Sequence, residues 1–177
     1  MGLAAHGEWR GAGTLVQTPM WYITAERRIV RPPRVVWERL LDVDAALQWL
    51  EGAAQVHAPA ALVKGATVSI TWQPSAGHSL LTTSVITSVR EGELLTVETR
   101  GGGRLSFDRV RLTPCAEGTT IELVSEVMNR PGLAGLLMSP HHLFGLDRHP
   151  TPLELAYERC LDAFACHVEA SSLVPYR

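Results

Sequence analysis

Between Trp21 and Ile29 the chain changes character at every second position. Ile23, Ala25, Arg27 and Ile29 fall on one side of an extended backbone, and Tyr22, Thr24, Glu26 and Arg28 on the other. A period of two predicts a strand. Pro32-Pro33 ends it, because proline brings no N–H to a ladder while its fixed φ suits the first turn of a helix. Val35, Val36, Leu40 and Leu41 then return at helical spacing, and Asp44 is placed to cap a second short helix carrying Leu47, Trp49 and Leu50 as far as Gly52.

From Gln55 to Met128 alternation dominates again, broken at Lys64-Gly65, Pro74 to Gly77, Glu91-Gly92, Gly101 to Gly103 and Pro114 to Gly118. These breaks delimit about six strands. Val68, Ile70 and Trp72 alternate with Thr67, Ser69 and Thr71; Leu95 and Val97 alternate with Glu98 and Arg100; Ile121, Leu123 and Val127 alternate with Glu122 and Glu126. The apolar member of each set is expected to face the core. Placing Arg109 and Arg111 outward, beside outward Glu122, turns Asp108 inward.

The last element is a helix. Thr151-Pro152-Leu153-Glu154 reads as a capping box with proline at the first helical position. Leu153, Tyr157, Cys160, Leu161, Phe164 and Val168 form one stripe, while Glu154, Glu158, Arg159, Asp162 and Glu169 mark the polar side. Running to about Ala170 it spans about 28 Å, enough to cross a sheet.

Composition narrows the class. With 177 residues, 46% apolar and 19% charged, the chain is long enough for one domain with a sizeable core. Residues 1–20 are expected to be a flexible arm, 21–170 the folded domain and 171–177 a tail. A net charge of -2 without a basic stripe argues against nucleic acid and for a neutral or weakly charged partner. No window reaches the ~18 apolar residues of a membrane span, and no basic region followed by an apolar run opens the chain. Three cysteines close no disulfide set, so a reducing, cytoplasmic location is expected.

The order of one strand, two short helices, about six antiparallel strands and a long terminal helix resembles the helix-grip fold of the START and polyketide cyclase/dehydrase superfamily. Local segments agree. Ile29-Val30-Arg31-Pro32-Pro33-Arg34-Val35-Val36-Trp37 is similar to that superfamily's passage from strand one to helix one, and Asp42 to Trp49 to its following aspartate and tryptophan. Gly118-Thr119-Thr120-Ile121 is similar to its turn into the last strand, and Gly132 to Met138 to the segment before its final helix. The resemblance covers about Tyr22 to Ala170. It implies an α+β fold, a curved seven-stranded antiparallel sheet wrapped around a long C-terminal helix, with an internal cavity for an apolar or aromatic small molecule. It carries over no catalytic motif, since its members include cyclases, dehydratases and lipid carriers.

Candidate chemistry therefore rests on inward polar residues. By parity these are Arg27, Thr83, Thr87, Thr99, Asp108 and Ser125, with Tyr157 from the helix. An inward carboxylate calls for a partner, and Arg27 is within reach if the first strand lies beside the last. In a catalytic reading Asp108 is the general acid or base and Arg27 stabilises an enolate or carbonyl oxygen, with Tyr157 a third polar contact. In a structural reading the same pair only holds strands in register. The binding wall would be Trp49, Ile70, Trp72, Thr83, Val97, Thr99, Leu123, Ser125, Leu161 and Phe164.

Other chemistries lack their patterns. His141-His142, Asp147 and His149 have no metal-ligand spacing, so no metal is expected, and His78 and His167 read as surface residues. The 130–150 segment is long for a connection and could serve as a lid over the cavity. Gly101-Gly102-Gly103 precedes no helix, and no Gly-x-Ser-x-Gly elbow occurs. The expected activity is ring closure or dehydration by acid/base chemistry without a cofactor; the alternative is a non-catalytic carrier of a lipidic or aromatic metabolite. A homodimer is allowed for.

Overall fold

The computed structural model describes residues 20–73, 79–129 and 152–171. Residues 1–19 of the N-terminal arm, the Pro74 to Gly77 turn with His78, the 130–150 segment with His141, His142, Asp147 and His149, Thr151 of the capping box and the last six residues lie outside the described residues.

Seven strands form one antiparallel sheet: β1 (Met20–Ile29), β2 (Ala53–His57), β3 (Thr67–Trp72), β4 (Leu80–Arg90), β5 (Leu94–Gly101), β6 (Arg104–Cys115) and β7 (Gly118–Asn129). Their order across the sheet is β1-β7-β6-β5-β4-β3-β2, so the first strand lies beside the last and every other neighbour is a hairpin partner in sequence. After β1 come α1 (Pro33–Leu40) and a single 3-10 turn (Ala46–Gln48), and the described chain ends in α2 (Pro152–Ala170). The fold is the expected α+β helix grip.

Helix α1 starts where proline allows it, with Pro32 in extended conformation as N-cap and Pro33 at the first helical position. The second helix differs from expectation. It is one 3-10 turn, and the carboxylate that reaches its entry is Asp42, whose Oδ1 accepts from Ala45 N at 3.1 Å, while Asp44 is exposed. Asp42 sits two residues past α1 and bridges back to Arg39 at 3.3 Å, so one side chain serves both ends of the connection.

Residues opposite each other in an antiparallel ladder share a face. Ile121 and Leu112 face one another on β7 and β6, as do Leu123 and Val110, and Arg111 stands beside Glu122 on the other face, as the alternation requires. Against the inner face lie Leu161, Phe164, Ala165 and Val168 of α2, all buried together with Ala25, Ile29, Val36, Trp37, Leu112 and Ile121. This apolar cluster fills the end of the sheet nearest α1. Helix α2 packs chiefly along β1.

Two contacts tie the C-terminal end of α2 to the corner after β1. Glu169 Oε1 accepts from Val30 N at 2.9 Å, and Arg31 Nη2 donates to Glu169 O at 2.7 Å. Arg31 O in turn accepts from Thr119 Oγ1 at 2.7 Å.

Gly118 makes that corner possible. It has φ +149°, and a Cβ there would stand 2.2 Å from Ile29 O and 2.8 Å from Arg31 N, both backbone atoms that cannot swing aside. Gly103 also has positive φ (+74°), but a Cβ there meets nothing within 4 Å. Gly118→Ala is expected to cost about 2–4 kcal/mol, combining backbone strain with overpacking, and clearly more than Gly103→Ala. Urea unfolding midpoints of the two variants measure the difference.

Candidate functional site

Beyond the apolar cluster the inner face of the sheet changes in kind. Asp108 on β6 faces Ser125 on β7 and Val97 on β5. The next inward pair along β6 and β5 is Ser106 with Thr99, and Thr99 faces Ser84 on β4. Thr82 lies beyond Ser84 on the same face of β4, opposite Ile70 of β3. Hydroxyl-bearing side chains thus run across four neighbouring strands, bordered by Val97, Leu123, Ile70 and Trp72. Ser106 and Ser125 are buried, while Asp108, Thr99, Ser84, Val97, Leu123, Ile70 and Trp72 are half-buried.

Asp108 is the hub. Its Oδ1 accepts from Ser125 Oγ at 2.5 Å and from Tyr157 Oη at 3.3 Å; its Oδ2 accepts from Ser106 Oγ at 2.9 Å and from Thr99 Oγ1 at 3.1 Å. Ser125 Oγ and Tyr157 Oη are 3.1 Å apart, and Ser84 Oγ lies 2.8 Å from Thr99 Oγ1. A carboxylate offers about four lone-pair positions, and here the chain's own hydroxyls fill them. At the far end of the face Trp72 Nε1 donates to Thr82 Oγ1 at 2.8 Å.

Tyr157 reaches this hub because it stands one turn before Leu161 on the buried stripe of α2, with its ring packed on the core. Burial pushes its phenol well above the usual tyrosine range, and the Asp108 charge adds to the effect. The hydroxyl therefore stays protonated and acts as a donor. On the same helix burial raises the Cys160 thiol to about 11, with a further contribution from Glu51. Cys160 makes a poor nucleophile.

Two expected placements are corrected. Arg27 does not pair with Asp108. Its β1 register places it opposite Ile121, whereas the strand position in line with Ser125 and Asp108 is Ile23, four residues away. Arg27 instead reaches Asp162 of α2 at 3.1 Å, with about half of each side chain exposed. Among the described residues no Lys or Arg bridges to Asp108.

Thr83 and Thr87 face the opposite side of the sheet. Thr83 pairs with Arg100 and Ser69, and Thr87 bonds to outward Thr96 at 2.7 Å. The cause is a bulge between Ile86 and Ser88, which shifts the inward parity from Thr82, Ser84 and Ile86 to Val89.

The remaining candidates divide into two groups, with Ile70 and Trp72 apart from both at the far end of the face beside Thr82. Asp108, Ser125, Thr99 and Tyr157 meet, with Val97 beside them and Leu123 one inward position along β7. Trp49, Leu161 and Phe164 belong to the packed end, where Trp49 and Phe164 meet edge to face with ring centroids 4.9 Å apart. Trp49 Nε1 is buried there with no partner among the described residues. Ser106, Ser84 and Thr82 were not singled out from sequence. Ser106 shares the parity of Asp108 and was legible by that signal, while the bulge hid the other two.

Two open surface grooves, of about 500 and 570 Å³, lie beside Arg34, Trp37 and Glu91 and beside Asp42, His57 and Leu62. Neither includes a residue of the Asp108 cluster. No described helix is long and apolar enough to cross a membrane.

Residues 20–169 match the model of a family described as polyketide cyclase / dehydrase and lipid transport. No curated protein matches the chain. Among solved structures, a protein of unknown function from Staphylococcus aureus superposes with a TM-score of 0.69 at 13% identity, covering 90% of this chain and 99% of that one. A protein from Chromobacterium violaceum superposes with a TM-score of 0.60 at 20% identity, covering 84% and 97%. The di-domain ARO/CYC StfQ from the steffimycin biosynthetic pathway superposes with a TM-score of 0.68 at 11% identity, covering 88% of this chain and 52% of that one. At these identities the likeness is one of fold.

Proposed function

Because the chain belongs to the polyketide cyclase / dehydrase and lipid transport family, we propose that it binds an apolar or aromatic small molecule on the inner face of β3 to β7 and promotes ring closure or dehydration there. Asp108 is the proton acceptor, and Tyr157 stands between it and the bound molecule. The observation that carries this reading is the convergence of Ser125, Tyr157, Ser106 and Thr99 on one carboxylate. That carboxylate is half-buried and has no Lys or Arg within ion-pair distance among the described residues.

The network has a direction. A proton leaving the bound molecule is taken up at Tyr157 Oη as the phenol's own proton moves to Asp108 Oδ1. No free phenolate forms, which suits a hydroxyl held above its usual range. After ring closure the alkoxide on the attacked carbonyl receives a proton back along the same path. Ser106 and Thr99 hold Oδ2 throughout, which fixes the carboxylate plane and spreads its charge. Arg27, bound to Asp162, has no part in this scheme.

One observation favours the carrier alternative: the chain's own hydroxyls already occupy both oxygens of Asp108, as in a purely structural polar cluster. Native mass spectrometry of the purified protein, followed by incubation with the compound it retains, separates the two. A linear aryl triketone, which closes by an aldol step and loses one water to give an aryl resorcinol, serves as a defined substrate. Wild type is expected to accelerate resorcinol formation and Tyr157→Phe to lose about ten- to a hundredfold of that acceleration. Binding of either compound with recovery unchanged, by wild type and variant alike, would establish the carrier.

A further inference from the structure

The hydroxyl protons on the inner face can be followed one at a time, since each Ser, Thr or Tyr hydroxyl donates once. Thr99 donates to Asp108 Oδ2, so in its 2.8 Å contact with Ser84 the donor is Ser84. Ser125 donates to Asp108 Oδ1, so in its 3.1 Å contact with Tyr157 the donor is Tyr157. The phenol proton is then shared between Ser125 Oγ and Asp108 Oδ1, the latter at 3.3 Å. Ser106 is used on Oδ2. No donor of the Asp108 cluster is left over. What the cluster presents outward is acceptors: a lone pair on Tyr157 Oη, lone pairs on Ser84 Oγ, and the field of a carboxylate without an ion-pair partner among the described residues.

From this count we infer that the bound molecule docks through a neutral hydroxyl, phenolic or enolic, that donates to Tyr157 Oη, and that the site discriminates against a carboxylate, an ether or a bare carbonyl at that position. The inference rests on the inner face being the ligand site, as proposed above. A carbonyl oxygen at Tyr157 sets lone pair against lone pair unless the phenol turns away, which strips one donor from Asp108. A carboxylate meets the same obstacle and the Asp108 charge as well. A hydroxyl continues the chain instead, from ligand to Tyr157 to Asp108, each link polarising the next. For a substrate with several carbonyl groups the enol is the form selected, and the enol proton is the one the relay removes, leaving a nucleophilic enolate carbon.

The test is a binding comparison on the full chain at neutral pH by titration calorimetry, independent of turnover. The probes are β-naphthol, its methyl ether, the corresponding naphthoate and naphthylmethylammonium. β-Naphthol is expected to bind at least about tenfold more tightly than the ether and the naphthoate, the size of one hydrogen bond to a charged network, and more tightly than the ammonium compound, whose charge must give up its water at a half-buried surface. Tyr157→Phe keeps the ring and removes the acceptor, and should reduce the preference over the ether to less than about threefold. Asp108→Asn brings donors into the hub and should do the same.

Equal binding of the ether and β-naphthol by wild type overturns the inference, as does tighter binding of the naphthoate or the ammonium compound. A preference for β-naphthol that both variants retain also overturns it. If none of the probes binds saturably, the ligand-site reading falls with it. A preference seen without any turnover of the triketone leaves this inference standing and removes only the catalytic reading.

Discussion

Asp108→Asn is expected to reduce the catalysed ring closure by about a hundred- to ten-thousandfold, the usual contribution of one positioned acid/base group. The carboxamide has nearly the same shape and keeps one acceptor oxygen, but it cannot take up the proton that Tyr157 passes on. It also turns an NH2 toward donors that now face a carboxylate oxygen, either Ser106 and Thr99 or Ser125 and Tyr157. Hydroxyl rotation relieves part of that conflict, so the stability cost should stay near 1–3 kcal/mol. Glu98→Gln is the control. Glu98 lies on the opposite face of β5, paired with Arg100 at 2.6 Å, and its loss should leave turnover unchanged. Unchanged kcat in a folded Asp108→Asn protein would end the assignment of Asp108 as the base.

The largest effect on stability is expected at Phe164. Its side chain is 1% exposed, packs within the cluster of Ile29, Leu112, Ile121 and Val168, and meets Trp49 edge to face. Truncation to alanine removes that burial and leaves a void which the backbone of β1 and β7 cannot close, so a loss of about 3–5 kcal/mol is expected. The edge contact with Trp49 goes as well, worth about 0.5–1.5 kcal/mol in comparable pairs and included in that range. Leu155→Ala, at a 38% exposed position of the same helix, should change stability by no more than about 0.5 kcal/mol. Denaturant unfolding of both variants, followed by circular dichroism, gives the comparison. A Phe164→Ala loss below about 1 kcal/mol would mean that this end of the molecule is less tightly filled than described.

Much of this architecture is legible in the residues themselves. The two-residue alternation of Val68 to Trp72 and of Ile121 to Val127 gave the inner face directly, and the doubled proline marked the start of α1. The inward direction of Asp108 followed from the charges around it: once Arg111 stands beside Glu122, parity turns Asp108 the other way. Its actual neighbours were harder to read. Alternation tells which face a side chain takes but not which residue of the next strand lies opposite, and the offset between β1 and β7 is what separates Arg27 from Asp108. A long side chain can also leave its face, as Arg27 does in reaching Asp162. In β4 the extra residue near Thr87 reverses parity midway, so counting back from Val89 brings Thr83 inward and hides Ser84. Short hydroxyl residues added to the difficulty, because Ser and Thr are common on strands and nothing in their spacing distinguishes a hub from a surface row.

The division of α2 has one more consequence. Its C-terminal half is anchored by Glu169 and Arg31 and contributes Phe164 and Val168 to the packed cluster, while its N-terminal half carries Tyr157 to the polar hub. On the proposed reading, foundation and workplace thus occupy opposite ends of a single rod. Removing the Tyr157 hydroxyl while keeping its core-packed ring would then change what the protein accepts at little cost to what keeps it folded.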